Sequence, residues 1–189
     1  RLPGLTHDSQ TVQTLFERGR VEEAYPLETR PLLQGARLTA WELTQMGAPF
    51  RLIVDSAGPF LLSRGLADVV LIGADRIAAN GDTANKIGSF SLALAAQHAG
   101  IPFLVVAPES TVDMSTAHGG DIEIEDRGSA EVVAFGGIRT APEGTSAINP
   151  AFDVTPANLI TAIVTDRRAV RLDQGDTLDS EPFGPTRTH

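Results

Sequence analysis

Two stretches of this chain, Val69-Val70-Leu71-Ile72 and Ile101 to Ala107, are apolar without alternation. A strand with one wet face alternates in polarity, so continuous apolar strands fit a parallel sheet that is covered on both faces. Between them, Gly88 to Ala99 places Phe90, Ala93, Leu94 and Gln97 on one side of a helix, which Gly100 and Pro102 stop. Strand, loop, helix, strand is a βαβ unit. Its loops follow the C-termini of the strands, along the edge where open α/β sheets bind ligands. The loop from Asp75 to Lys86 falls on that edge.

The flanking sequence adds further elements of both kinds. Val12, Leu15 and Phe16 recur at helical spacing within residues 9–19, and Val21 to Tyr25 reads as a strand. Pro31 opens a helix that runs to Met46 and is ended by Gly47 and Pro49, with Leu43 and Trp41 expected in the core. Phe50 to Val54 reads as a strand and Gly58 to Leu66 as a short helix. Val132 to Ile138 reads as a strand that meets a tight turn at Gly136-Gly137, and Asn158 to Thr165 as a strand or a short helix and strand. The expected organisation is one α/β domain over residues 1–170, followed by a polar, flexible tail over residues 171–189.

Composition narrows the function. At 189 residues, with 42% hydrophobic and 5% aromatic content, the chain is large enough for one core and poor in the aromatics of a β-sandwich. A net charge of -9 leaves no basic footprint for nucleic acid. No apolar run is long enough for a membrane span and no signal segment opens the chain, so a cytoplasmic protein is expected. The absence of cysteine removes disulfides and thiol nucleophiles, and the four histidines lack metal-ligand spacing, so no metal is expected. The motifs GxxxxGK[ST], GxGxxG and GxSxG are also missing, which removes the usual signals for nucleotide hydrolysis, dinucleotide redox and α/β-hydrolase chemistry.

The residues that can carry chemistry gather at the strand edge. Asp75 follows a buried strand, where partial burial raises a carboxyl pKa and suits acid/base work; it can equally form a turn or pair with Arg76. Lys86 is the only lysine in a chain whose other basic residues, histidine aside, are all arginine. With Asn85 it precedes a helix start, where free N–H groups and a point charge suit a phosphate; the alternative is a solvated surface lysine. Gln34 lies in the first turn of its helix beside Gly35 and can offer an amide to a phosphate or hydroxyl, or simply face water. The acidic run Asp121 to Asp126 lacks calcium-loop spacing and reads as a solvated face.

Three segments carry a resemblance: ETRPLLQGARLTAWEL at 28–43, GADRIAANGDTANKIG at 73–88, and FGGIR at 135–139 with APEG at 141–144 and NPAFDVTP at 149–156. Together they resemble the methylthioribose-1-phosphate isomerase family, whose superfamily includes ribose-1,5-bisphosphate isomerase and regulatory subunits of a translation-initiation exchange factor. The resemblance implies a Rossmann-like, three-layer α/β/α domain with a mainly parallel sheet. It also implies an aldose-to-ketose isomerisation in methionine salvage, with Asp75 as proton donor, with Gln34, Asn85 and Lys86 binding the sugar phosphate, and with no redox cofactor. A homodimer is expected by the same resemblance. The family's N-terminal helical domain and its catalytic cysteine have no counterpart in this cysteine-free chain, which is therefore expected to be part of the full enzyme. A non-catalytic, sugar-phosphate-binding regulatory subunit and a ribose-1,5-bisphosphate isomerase are the alternatives.

Overall fold

The computed structural model describes residues 7–179. Its first sheet contains β1 (Val70–Ile72), β4 (Phe103–Val106), β9 (Ala162–Val164) and β10 (Ala169–Val170), adjacent in that order. β1, β4 and β9 run parallel, and β10 closes the edge antiparallel to β9. The non-alternating apolar runs are thus neighbouring parallel strands. Val105 and Ile163 are fully buried, as expected of strands that do not meet water on either face.

A second sheet has the order β5 (Val112–Asp113), β2 (Arg76–Ala78), β3 (Thr83–Lys86) and β8 (Phe152–Thr155). β2 and β3 are antiparallel, as are β3 and β8. The Asp75 to Lys86 segment is therefore a hairpin rather than the expected loop. Its turn explains this: Asn80 accepts the Asp82 N–H at 3.0 Å, Gly81 takes φ +91°, and the Ala78 N–H donates to the Asp82 carbonyl at 2.9 Å. Asn-Gly is a strong hairpin signal, here set inside the βαβ connection.

The helices are α1 (His7–Glu17), α2 (Ala40–Met46), α3 (Ala57–Ser63), α4 (Ser89–Ala99) and α5 (Ala130–Val133). α4 packs against α3, β1 and β8, and ends at Gly100 in the left-handed conformation, as the sequence predicts. The helix expected from Pro31 does not begin there. Thr29 and Leu33 have φ of +65° and +57°, and helical winding starts with a π-helical turn at Gly35–Thr39 before α2. The segment is pinned from outside, because the Asp55 carboxylate accepts the Thr29 and Arg30 N–H groups at 2.8 and 2.7 Å. Leu43 is buried, whereas Trp41 is 53% exposed and does not join the core.

The expected strands near residues 24 and 50 pair with each other through parallel bridges, Ala24 with Phe50 and Leu27 with Ile53. The strand expected over 132–138 divides into α5 and a small hairpin, β6 (Ala134–Phe135) with β7 (Ile138–Arg139). Gly136 and Gly137 supply its turn with φ of +56° and +82°. Beyond Val170 the chain makes a 3-10 turn at Leu172–Gln174 and buries Leu178 in the core cluster. The remainder of the expected tail, residues 180–189, lies outside the described residues.

Candidate functional site

Asp75 stands where β1 hands the chain to the second sheet. Its N–H donates to the Ala84 carbonyl at 2.9 Å, which fixes the backbone against β3. Its carboxylate accepts no hydrogen bond from the described residues. Arg76 does not pair with it; that guanidinium reaches Asp113 at 3.6 Å instead. Although much of the Asp75 surface is open, the atoms around the carboxyl desolvate it enough to raise its pKa, against the opposing charge of Lys86. Two members of the predicted set therefore lie within electrostatic reach of each other.

Lys86 and Asn85 are consecutive residues of β3, so their side chains leave opposite faces. Lys86 shares its face with Ala84 and sits opposite Phe152 in the register. It forms no ion pair within 4.0 Å among the described residues; the pKa of Glu131 is lowered chiefly by its hydrogen bond from Arg127, with only a minor addition from the charge of Lys86. Lys86, partly buried and without a direct counter-ion, has the charge to meet an anion. Asn85 points to the other side, where its Nδ2 donates to Ser89 Oγ at 3.0 Å. Ser89 Oγ in turn donates to the Lys86 carbonyl at 2.8 Å, which ties both residues to the start of α4.

The expectation of free N–H groups at the start of α4 is corrected by the structure. Gly88, at φ +108°, has no side chain with which to cap the helix. Asp153 of β8 does so from across the sheet, accepting the Gly88 N–H at 2.7 Å and the Phe90 N–H at 3.1 Å. Burial raises its pKa, and the two backbone bonds only partly offset this. The sequence reading missed Asp153, although it lies inside the NPAFDVTP segment and directly opposite Asn85 in the register.

An open cleft of about 630 Å³ runs beside Asp75. Asp75, Arg76, Ala84 and Phe152 form one side, and residues 122–126 form the other. The acidic run is therefore a wall of this cleft rather than merely a solvated face. Behind it, Glu131 is held by Arg127 and by Asn149 Nδ2, the latter at 3.0 Å, while Asn149 is buried.

Gln34 comes from a different segment, and no contact with Asp75 or Lys86 joins it to them. Its Oε1 is buried without a hydrogen-bond partner, so one acceptor in the 28–39 segment is unused. Gly35 beside it has no room for a side chain, since a Cβ there would lie 1.7 Å from the Leu27 carbonyl oxygen. Arg30 of the same segment stacks 5.6 Å from the Phe135 ring centroid, linking it to the hairpin after α5. Among the described residues no group of three or more His, Cys, Asp or Glu side chains could hold a metal ion, and no helix is long and apolar enough to cross a membrane.

Comparison with known proteins gives this geometry a context. Residues 7–170 match the Initiation factor 2 subunit family. A protein of Pelotomaculum thermopropionicum named methylthioribose-1-phosphate isomerase is 59% identical over 176 residues, covering 93% of this chain and 48% of that protein. The crystal structure of 5-methylthioribose 1-phosphate isomerase from Pyrococcus horikoshii superposes with a TM-score of 0.81 at 48% identity, over 84% of this chain and 44% of that one. The structure of translation initiation factor eIF-2B subunit delta from A. fulgidus gives the same TM-score at 38% identity, over 86% of this chain and 47% of that one. The chain thus spans just under half the length of each of these three.

Proposed function

Since the chain belongs to the Initiation factor 2 subunit family, we propose that it carries the sugar-phosphate site of a methylthioribose-1-phosphate isomerase, converting 5-methylthioribose 1-phosphate to 5-methylthioribulose 1-phosphate. The observation that carries this reading is the pairing of an unbonded Asp75 carboxyl of raised pKa with Lys86, which lacks a direct counter-ion. The 59% identity to a protein of that name supports it.

The chemistry follows from the charges. The phosphate sits on Lys86 and neutralises the field that lowers the Asp75 pKa, so substrate binding favours the protonated acid. Asp75 then gives its proton to the ring oxygen and the bond from C1 to that oxygen breaks, leaving an open chain whose C1 cation is stabilised by the oxygen of the phosphate it still carries. Hydrogen then passes from C2 to C1, either as a hydride or as a proton lost from C2 and regained at C1, while the C2 hydroxyl loses its proton, which restores the acid, and the ketose keeps its phosphate on C1. The acid is assigned to Asp75, and phosphate or hydroxyl binding to Asn85, Lys86 and Gln34. With Asn85 Nδ2 engaged by Ser89, its Oδ1 beside Gly73 is the atom offered to a sugar hydroxyl.

The same reading includes a Rossmann-like, three-layer arrangement, supported by the contacts of both α1 and α4 with β4. It also includes a domain unit that takes in residues 1–170 and reaches at least to the buried Leu178, a homodimer, a cytoplasmic location, and completion of the site by a further N-terminal domain. A second reading, a non-catalytic binding subunit, is favoured by the 0.81 TM-score to an initiation-factor subunit. One experiment separates the two. The protein expressed from its own full gene is supplied with 5-methylthioribose 1-phosphate, and ketose formation is followed; binding without conversion selects the second reading.

A further inference from the structure

Asn85 and Lys86 are the last two residues of β3, and only Ile87 and Gly88 separate them from α4. β3 ends at Lys86, and the Ile87 N–H donates to the carbonyl of Ala151, the residue before β8, at 3.2 Å. Gly88 then reverses the chain with a left-handed φ and offers no cap of its own. The first N–H groups of a helix have no partners within it, and they need an acceptor. Here that acceptor is the carboxylate of Asp153, on the strand paired with β3 and opposite Asn85.

Two consequences follow. A charged acceptor on two N–H groups binds the turn more firmly than a neutral cap would. The same carboxylate also occupies the position where a phosphate would meet the helix end, so a second anion there would be repelled. An anion bound to Lys86 is thereby directed to the face that Lys86 shares with Ala84.

Building on the proposed isomerase reading, we propose that Asp153 is the positioning residue of this site: by closing the end of α4 it holds Asn85 and Lys86 in place for the sugar phosphate and keeps that phosphate off the helix end. Asp153 does not touch the substrate. Its loss weakens binding more than it slows the chemical step.

The test uses the protein expressed from its own full gene. Asp153→Asn keeps the size of the side chain but can accept only with one neutral oxygen. It should raise KM for 5-methylthioribose 1-phosphate by roughly tenfold, as loss of a charge-assisted bond implies, with kcat within about threefold. In Asp153→Ala, added formate should lower the raised KM, with no such effect on the unmodified protein. A KM unchanged in both variants, a loss confined to kcat, or no response to formate would overturn the proposal.

Amide hydrogen exchange in the unmodified protein decides the matter even if the variants do not fold. Gly88 and Phe90 should be protected with or without the sugar phosphate. Rapid exchange that slows only on adding it would mean that substrate, not Asp153, fills the helix end. Should the unmodified protein leave this sugar unconverted, the isomerase reading falls, while the exchange of these two amides still decides the role of Asp153.

Discussion

The charge of Lys86 holds the Asp75 carboxyl below the pKa that its desolvating surroundings alone would set. The carboxyl and the ammonium are thus coupled: whatever neutralises the lysine strengthens the hold of the aspartate on its proton. Replacing Lys86 by Met should raise the Asp75 pKa. Carboxyl ¹³C titration of the two proteins measures it, and an unchanged or lower value in Lys86→Met would remove the coupling.

Lys86→Arg keeps the positive charge but replaces a compact ammonium with a wider planar fork on a strand whose neighbours, Ala84 and Phe152, set the room available. Substrate binding should weaken by roughly tenfold, about 1.4 kcal/mol. Titration calorimetry with the sugar phosphate would show it, and equal affinities would mean that charge alone is read.

On the proposed isomerase reading, Asp75→Asn should abolish proton donation while leaving the charge of Lys86 in place. The expected result in the full-gene protein is a fall in kcat of roughly 10²- to 10⁴-fold, typical for removal of a general acid, with substrate affinity within a few-fold. Turnover at the unmodified rate would exclude Asp75 as the acid.

The raised pKa of Asp75 also has a sign in stability. A carboxyl that ionises less readily when folded destabilises the fold once ionised; this penalty is absent below the unfolded pKa of about 4 and complete above the folded pKa. Asp75→Asn lacks the penalty, so its Tm relative to the unmodified protein should increase as pH rises through the carboxylate range. Thermal melts at matched pH values test the direction, and a difference that shrinks with rising pH would contradict the assigned shift.

Gly35→Ala would drive a methyl to 1.7 Å from the backbone oxygen of Leu27, a neighbour that cannot rotate away. A loss of about 3 kcal/mol or more is expected. Gly100→Ala meets open space and suffers only its left-handed φ, costing about 1 kcal/mol. Chemical denaturation of both variants gives the comparison, and similar losses would mean that the Gly35 contact relaxes easily.

Residues 69–72, 88–99 and 101–107 announced their structure because their signals are local and agree with their tertiary setting. An apolar run between polar flanks gave each strand, and Gly100 gave the helix end. Pro31 to Gln34 misled because a proline before a periodic segment ordinarily opens a helix, whereas here Asp55, 24 residues further on, holds the backbone in another shape. The hairpin at Asn80-Gly81 is marked by its turn residues, but its strands of three and four residues are too short to carry a periodic signal.

By itself, then, the sequence determined the α/β pattern, the parallel pairing of its continuously apolar strands, and which side chains could serve as acid and anion anchor. Those features depend on residue type and spacing along a few turns or one strand. Only the tertiary structure decided that Asn85 and Lys86 leave opposite faces of β3, that Arg76 turns to Asp113, and that Asp153 closes the helix end. The first follows from the pleat once these residues are known to form a strand, and the other two from strand pairing, which brings residues tens of positions apart together and which no local pattern encodes.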